Sequence, residues 1–193
     1  MLRLHERIWA KSGMEKRWRV ALLSGGTSAE REISIKGGDE AFAALDQSRY
    51  EVQRYDPESD LTRLAADAPE IDAALIILHG AHGEDGTVQG LLDLLGIPYQ
   101  GTGVLGSAIA MDKLVSKFFY EKAGIPSPAY VSCKNGGPVN VAEIVNRLGL
   151  PLVVKPAAGG SSIGMSLVRE PAALESAVAA AFEHGGAVIV EEY

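Results

Sequence analysis

Lys155 stands at the end of an apolar run, Leu152-Val153-Val154, and opens onto a loop of small residues from Ala157 to Gly164. An ammonium drawn into an apolar strand is costly unless an anion meets it. The loop carries no bulky side chain before Ile163, so its backbone N–H groups can approach a ligand closely. Lysine beside a Gly/Ser loop is the chemistry of a nucleotide phosphate site. It is not the P-loop pattern, because no Gly-Lys-Ser/Thr follows and the next segment reads as a strand, not a helix.

Two other loops carry chemically capable residues. Gly25-Gly26-Thr27-Ser28-Ala29-Glu30 follows an apolar run, and Glu30 stands where a carboxylate could hold an ammonium group. The same residues also suit a plain helix start, with Thr27 or Ser28 as cap and Glu30 favoured by the helix dipole. Both readings stand at this point. His79-Gly-Ala-His82-Gly-Glu84-Asp85-Gly86 gathers two histidines and two acids. No zinc-site spacing is met, and Glu84-Asp85-Gly86 reads as a turn into a helix. His79, at a strand end, is the better candidate for substrate contact.

Three features have ordinary explanations. Gly101-Thr-Gly103-Val-Leu-Gly106 matches the dinucleotide fingerprint by letter. Its context fails, since the preceding strand is fourth in order and the next one ends without an acid to hold a ribose. The lone Cys133 in a strand-like run reads as packing, and it permits no internal disulfide, which suits a reducing compartment. Lys113, in Met111-Asp112-Lys113, falls within a helical pattern where a lysine is usually solvated.

The elements that must position these groups alternate in type. Val20–Ser24, Glu51–Asp56 and Ala73–Leu78 read as strands, the last so continuously apolar that both faces should be covered. Helices are expected over Glu32–Leu45 and Thr87–Leu95, then a short strand at Ile97–Gln100 and one long helix over Leu105–Ala123. Alternation of this kind predicts an open parallel sheet, with ligands gathering at the carboxyl ends of its strands. Gly124-Ile-Pro-Ser-Pro128 is the best domain break. After it come strand Ala129–Cys133, helix Val141–Leu148, strands Leu152–Lys155 and Met165–Arg169, a helix beginning at Pro171, and strand Ala187–Val190. The expected division is a tail over 1–17, an α/β domain over 18–124 and an α+β unit over 125–193.

The chain of 193 residues carries a net charge of −7, which argues against a nucleic-acid surface or a polybasic membrane patch. No run of about 18 apolar residues is present to span a bilayer as a helix. The first 17 residues are charged and lack a secretory apolar core.

Taken in order, GGTSAERE (25–32), HGxxGEDGxxQG (79–90), MDK (111–113), VKPxxxGSSxGM (154–165) and EEY (191–193) resemble the D-alanine–D-alanine ligases of the ATP-grasp superfamily. The resemblance runs from about Val20 to Tyr193. It implies an ATP-dependent ligase that phosphorylates the carboxyl of one D-alanine and lets the amine of a second attack the acyl phosphate. Positioning and charge neutralisation would supply most of the catalysis. By the same resemblance, Glu30 would bind the first D-alanine's ammonium, with His79 near that substrate. Lys113 and Lys155 would contact ATP phosphates, and Gly160, Ser161 and Ser162 would close over them. Ser161 would also bond toward Glu30, giving Glu30 and Ser161 the catalytic roles. Glu191, Glu192 and Tyr193 would line adenine and ribose.

Ala158-Gly159 replaces a polar pair common in the family, so any contact there is by backbone. The family's Mg²⁺-binding acids, transition-state arginine and second D-alanine site lie beyond the position of Tyr193. The expectation is therefore a truncated form, inactive alone, holding no metal ligand itself. A non-catalytic nucleotide-binding remnant, half of a split enzyme, and a D-lactate or D-serine ligase are the alternatives. Cytoplasmic location, peptidoglycan precursor synthesis and homodimerisation follow from the family as further expectations.

Overall fold

The computed structural model describes residues 17–160 and 163–193. The expected tail, apart from Arg17, and the two serines Ser161 and Ser162 lie outside the described residues.

A three-stranded parallel sheet forms first, in the order β2 (Tyr50–Tyr55), β1 (Trp18–Leu23), β3 (Ala73–Ile76). The register sets Val20 opposite Val52 on one side and Ala73 on the other. β1 is central, and Ala21, Leu22 and Leu23 are wholly buried, so both of its faces are covered. Each fully buried leucine contributes about 1.5–3 kcal/mol of apolar transfer free energy. Helices α1 (Arg31–Ala44), α2 (Leu61–Asp67) and α3 (Thr87–Leu95) complete this half. Its core joins Ala21, Leu23, Tyr55, Leu64, Ala74, Val88, Leu92 and Ile97.

Three expectations need correction here. Ala73–Leu78 is not covered on both faces: Ala74 and Leu78 are buried, while Ala73 and Leu75 to Ile77 are half-buried. The central position belongs to β1, and β3 lies toward the sheet edge. The strand expected at Ile97–Gln100 reduces to one bridge, between Ala74 and Tyr99. Beyond it the Gln100 side-chain amide takes over from main chain, accepting from Ile76 N at 3.0 Å and donating to Ile76 O at 2.7 Å.

The third correction concerns the long helix. It is two helices, α4 (Val104–Met111) and α5 (Lys113–Ala123), broken at Asp112. Asp112 is extended, and its carboxylate accepts from Leu114 N at 2.9 Å and Val115 N at 3.1 Å. Such a cap is worth about 1 kcal/mol. The residue pattern is helical on both sides, so periodicity alone runs through the break.

The second sheet has the order β4 (Tyr130–Lys134), β7 (Ala187–Glu192), β5 (Leu152–Pro156), β6 (Ser166–Val168), all antiparallel. One face packs against α6 (Val141–Leu148) and α7 (Leu174–Phe182) through Leu152, Val154, Val188, Val190, Leu174 and Val178. Cys133 lies buried in this core, as packing would have it. Alternation along the strands sends Val153, Lys155, Ile189 and Glu191 to the opposite face. Among the described residues no helix is long and apolar enough to cross a membrane.

Candidate functional site

The other face of the second sheet, where Glu191 is buried against Lys117 of α5, carries the first charged cluster. Val153 pairs with Glu191, and Lys155 with Ile189, so Lys155 and Glu191 are diagonal neighbours on one face. The Lys155 ammonium is ion-paired with Glu191 Oε2, and Lys117 Nζ lies 3.0 Å from Oε1. The anion that Lys155 required is therefore partly within the chain. Burial alone would raise the Glu191 pKa, but hydrogen bonds from Lys155 and then Lys117 outweigh it and hold the carboxyl below its ordinary range.

Helix α5 brings a second lysine to the same place. Asp112 bridges to Ala158 in antiparallel fashion, and Lys113 N donates to Ala157 O at 2.8 Å. This pins the helix start to the small-residue loop. Lys113 Nζ then donates to Gly159 O at 2.9 Å. Burial, followed by repulsion from Lys155, lowers the Lys113 pKa, and Glu191 and Asp112 act against that shift. Lys113 is thus not a solvated helix lysine: the break at Asp112 places it at the loop. Two ammonium groups close enough to repel, beside a loop of small residues, favour a polyanion between them.

The middle of the loop reaches the other half of the molecule. A Cβ on Gly160 would stand 2.8 Å from Glu30 Oε2, and one on Gly80 2.7 Å from the same oxygen. Only glycine lets both backbones come so close, and at Gly80 φ is +68° as well. Glu30 is 7% exposed and stands at the start of α1 without making a side-chain cap. Neither Thr27 nor Ser28 caps the helix: Glu30 holds the N-cap position, and Ser28 Oγ accepts from Glu30 N at 3.1 Å and donates to His79 O at 2.7 Å, fixing the turn before it. The Glu30 carboxylate stands where the Gly80 and Gly160 loops meet.

Residues that sequence reasoning passed over hold these loops in place. Ser34, wholly buried, accepts from Gly25 N at 2.8 Å and donates to Ile77 O at 2.7 Å. Asp56 accepts from Gly26 N at 2.9 Å and is paired with Arg31, whose Nη2 lies 2.6 Å from Oδ2. Gly80 N donates to Glu84 at 2.7 Å and His82 N to Asp85 at 2.8 Å, which makes the acids of the second loop structural. Thr27 Oγ1 and His82 Nδ1 lie 3.1 Å apart, tying that loop to the first. Among the described residues no group of three or more His, Cys, Asp or Glu side chains could hold a metal. Lys117, in Ser116-Lys117-Phe118-Phe119, was also missed; its burial depends on a strand far along the chain, which leaves no local signal.

Two expected outcomes arise from this scaffold. Ser34→Ala strands a buried N–H and a part-buried C=O, and should lower unfolding free energy by about 1–3 kcal/mol in urea. An unchanged midpoint would mean that the Gly25 loop is held by other contacts. Asp56 gives a pH signature. Burial raises its pKa, but hydrogen bonds from Arg31, Gly26 and Glu58 outweigh that and lower it overall. A pKa lower in the folded state stabilises the chain above the unfolded value near 4, and that stability is lost as pH falls through the folded value. Asp56→Asn should therefore weaken the chain at neutral pH and flatten its acid limb; an acid limb as steep as the parent's would assign the transition to other carboxylates.

Of the sequence-assigned residues, Lys113, Lys155 and Glu191 converge at the loop, and Gly160 brings that loop to Glu30. His79 enters through its main-chain carbonyl, and Glu192 Oε1 accepts from Ala129 N at 2.9 Å. Tyr193 is largely exposed, with its N–H bonded to Pro151 O at 3.3 Å.

An antiparallel sheet whose Lys155, together with Lys113 of α5, meets a small-residue loop, set beside a parallel α/β unit, places this chain among the ATP-grasp proteins. The model of the D-ala D-ala ligase C-terminus matches residues 119–193, and that of the N-terminus matches 57–102. A D-alanine--D-alanine ligase of Syntrophobacter fumaroxidans is 56% identical over 174 residues, 90% of this chain and 56% of that protein. The crystal structure of the Bacillus anthracis enzyme superposes with a TM-score of 0.82 at 41% identity, covering 91% of this chain and 57% of that one. A structure of the Bacillus anthracis ligase complexed with ATP gives a TM-score of 0.80 at 39% identity, over 91% and 58%. The chain belongs to the D-alanine–D-alanine ligase family. It spans about half the length of the relatives it matches.

Proposed function

We propose that this chain forms the ATP-phosphate and first-D-alanine part of an ATP-dependent D-alanine–D-alanine ligase, acting in the cytoplasm to supply peptidoglycan precursors. The observation that carries the reading is the continuity of the loop. Lys113 and Lys155 flank its start, and Gly160 at its middle abuts the Glu30 carboxylate. A triphosphate at the lysines and an amino acid whose ammonium meets Glu30 would then lie side by side, as phosphoryl transfer to a carboxylate requires.

Each residue has a part in this reading. Lys113 and Lys155 neutralise phosphate charge, and Gly160, Ser161 and Ser162 cover it, with Ser161 bonding toward Glu30. His79 borders the amino acid, while Glu191 by its main chain, Glu192 and Tyr193 border adenine and ribose. The chain divides functionally into a substrate-binding unit over 18–124 and a nucleotide-binding unit from 125 onward. In the ligase reading the first D-alanine carboxylate takes the terminal phosphoryl group, the second amine attacks, and phosphate leaves. The described residues do not form a Mg²⁺ cage.

The test is a calorimetric titration of the chain with D-alanine and with L-alanine, each in the presence of ATP. D-alanine should bind, L-alanine should bind far more weakly, and Glu30→Gln should remove the difference. Equal binding of the two enantiomers by the parent chain would overturn the substrate assignment.

A further inference from the structure

Lys117 is a lysine that the sequence patterns did not single out, and its surroundings are unusual for one. Its side chain is 6% exposed. The ammonium donates to Pro128 O at 2.6 Å and lies 3.4 Å from Ser127 Oγ. It also lies 4.8 Å from the centre of the Tyr130 ring and 3.0 Å from Glu191 Oε1. Two oxygen acceptors, a carboxylate and an aromatic face meet one buried cation. Such an arrangement fixes a charge rather than leaving it to roam.

That fixed charge acts on the cluster at the loop. Glu191 is a single carboxylate shared by two ammonium groups, one on each oxygen. The pair of lysines outnumbers it, so one positive charge remains uncancelled. If Glu191 faced Lys155 alone, their charges would cancel and an incoming anion would compete with a neutral pair. Lys113 adds a further positive charge nearby, and Asp112 is committed to capping α5.

We propose that Lys117 is a positioning residue of the nucleotide site, gripping Glu191 by Oε1 so that Oε2 orients Lys155 while the cluster stays net positive toward phosphate. The inference rests on the nucleotide reading above and extends it to a residue that touches no ligand. Lys117 also ties α5 to the segment 127–130, and a purely structural role would end there. The two roles differ in what they predict for ligands with and without phosphate.

The experiment compares Lys117→Met in two backgrounds, wild type and Glu191→Gln, using calorimetry with ATP and with adenosine. Thermal melting confirms that each protein is folded. In the wild-type background ATP affinity should fall about tenfold, the equivalent of one modest charge-assisted bond, while adenosine affinity stays unchanged. In the Glu191→Gln background the same substitution should do little, because the carboxylate through which Lys117 acts is gone. Equal losses in both backgrounds, or equal losses for ATP and adenosine, would overturn the proposal. Should Lys117→Met fail to fold, Glu191→Gln against Lys117→Met/Glu191→Gln still decides, since a large ATP loss there contradicts it.

A second readout needs no nucleotide. Carbon NMR of the Glu191 carboxyl should show its titration midpoint rising in Lys117→Met, since one of the bonds holding it down is lost. A midpoint that does not move would sink the proposal outright. Should the midpoint move while the parent chain fails to bind ATP, the grip on Glu191 stands confirmed and the nucleotide reading falls instead.

Discussion

Replacing Glu191 by leucine should lower the unfolding free energy by about 3–5 kcal/mol, the cost of leaving a buried charge without its partner. The reason is local and asymmetric. Lys117 is almost wholly buried and would keep only Pro128 O, Ser127 Oγ and the Tyr130 ring, while Lys155 is a quarter exposed and could turn toward water. The loss should be largest at neutral pH and shrink in acid. Because the Glu191 pKa is lowered in the folded state, its contribution is complete above the unfolded value near 4.3 and fades as pH falls through the folded one. Urea unfolding of parent and variant across that range measures the difference directly. A constant gap between the two curves down to strong acid would mean that the carboxylate is not what holds this region together.

Lys155→Met should do the opposite. Stability should change little, because Lys117 still neutralises Glu191 and the methionine stem can lie along the half-exposed face of β5. ATP affinity should fall ten- to hundredfold, in line with about 1.5–3 kcal/mol for a hydrogen bond to a charged group. Two neighbours in one ion cluster would thus separate cleanly, one governing folding and the other binding. Thermal melting and nucleotide titration of both variants decide it: a Lys155→Met protein that binds ATP as well as the parent would remove Lys155 from the site.

Much of the architecture was legible because local rules and tertiary context agree. Val141–Leu148 is a helix between the residues expected, with Asn140 accepting from Glu143 N at its start. The apolar runs at β1, β5 and β7 became strands, since each is short and bounded by turn residues. The failures have physical causes. Asp112 breaks a helix that periodicity would continue, because its cap and the docking of Lys113 N on Ala157 O outweigh helical continuity. Gln100 ends a strand by a side-chain amide, which no alternation of apolar residues can signal.

The site followed the same pattern. Glu30, Lys113, Lys155 and Glu191 were singled out by motif order, and the strand register explains why Lys155 and Glu191 meet. The resemblance gave Glu191 a place on the adenine side and no signal that its carboxylate is engaged by two lysines. Ser34, Asp56 and Lys117 were invisible because their roles depend on partners 9 to 74 positions away, joined only by the fold.

The central claim is that the lysines and the small-residue loop form a phosphate site. Titrating the parent chain with ATP, ADP, AMP and adenosine in one calorimetric series, at fixed salt, tests it most directly. Affinity should rise with each phosphate added, and the ATP term should weaken as salt is raised. Adenosine binding as tightly as ATP, with no dependence on salt, would contradict it.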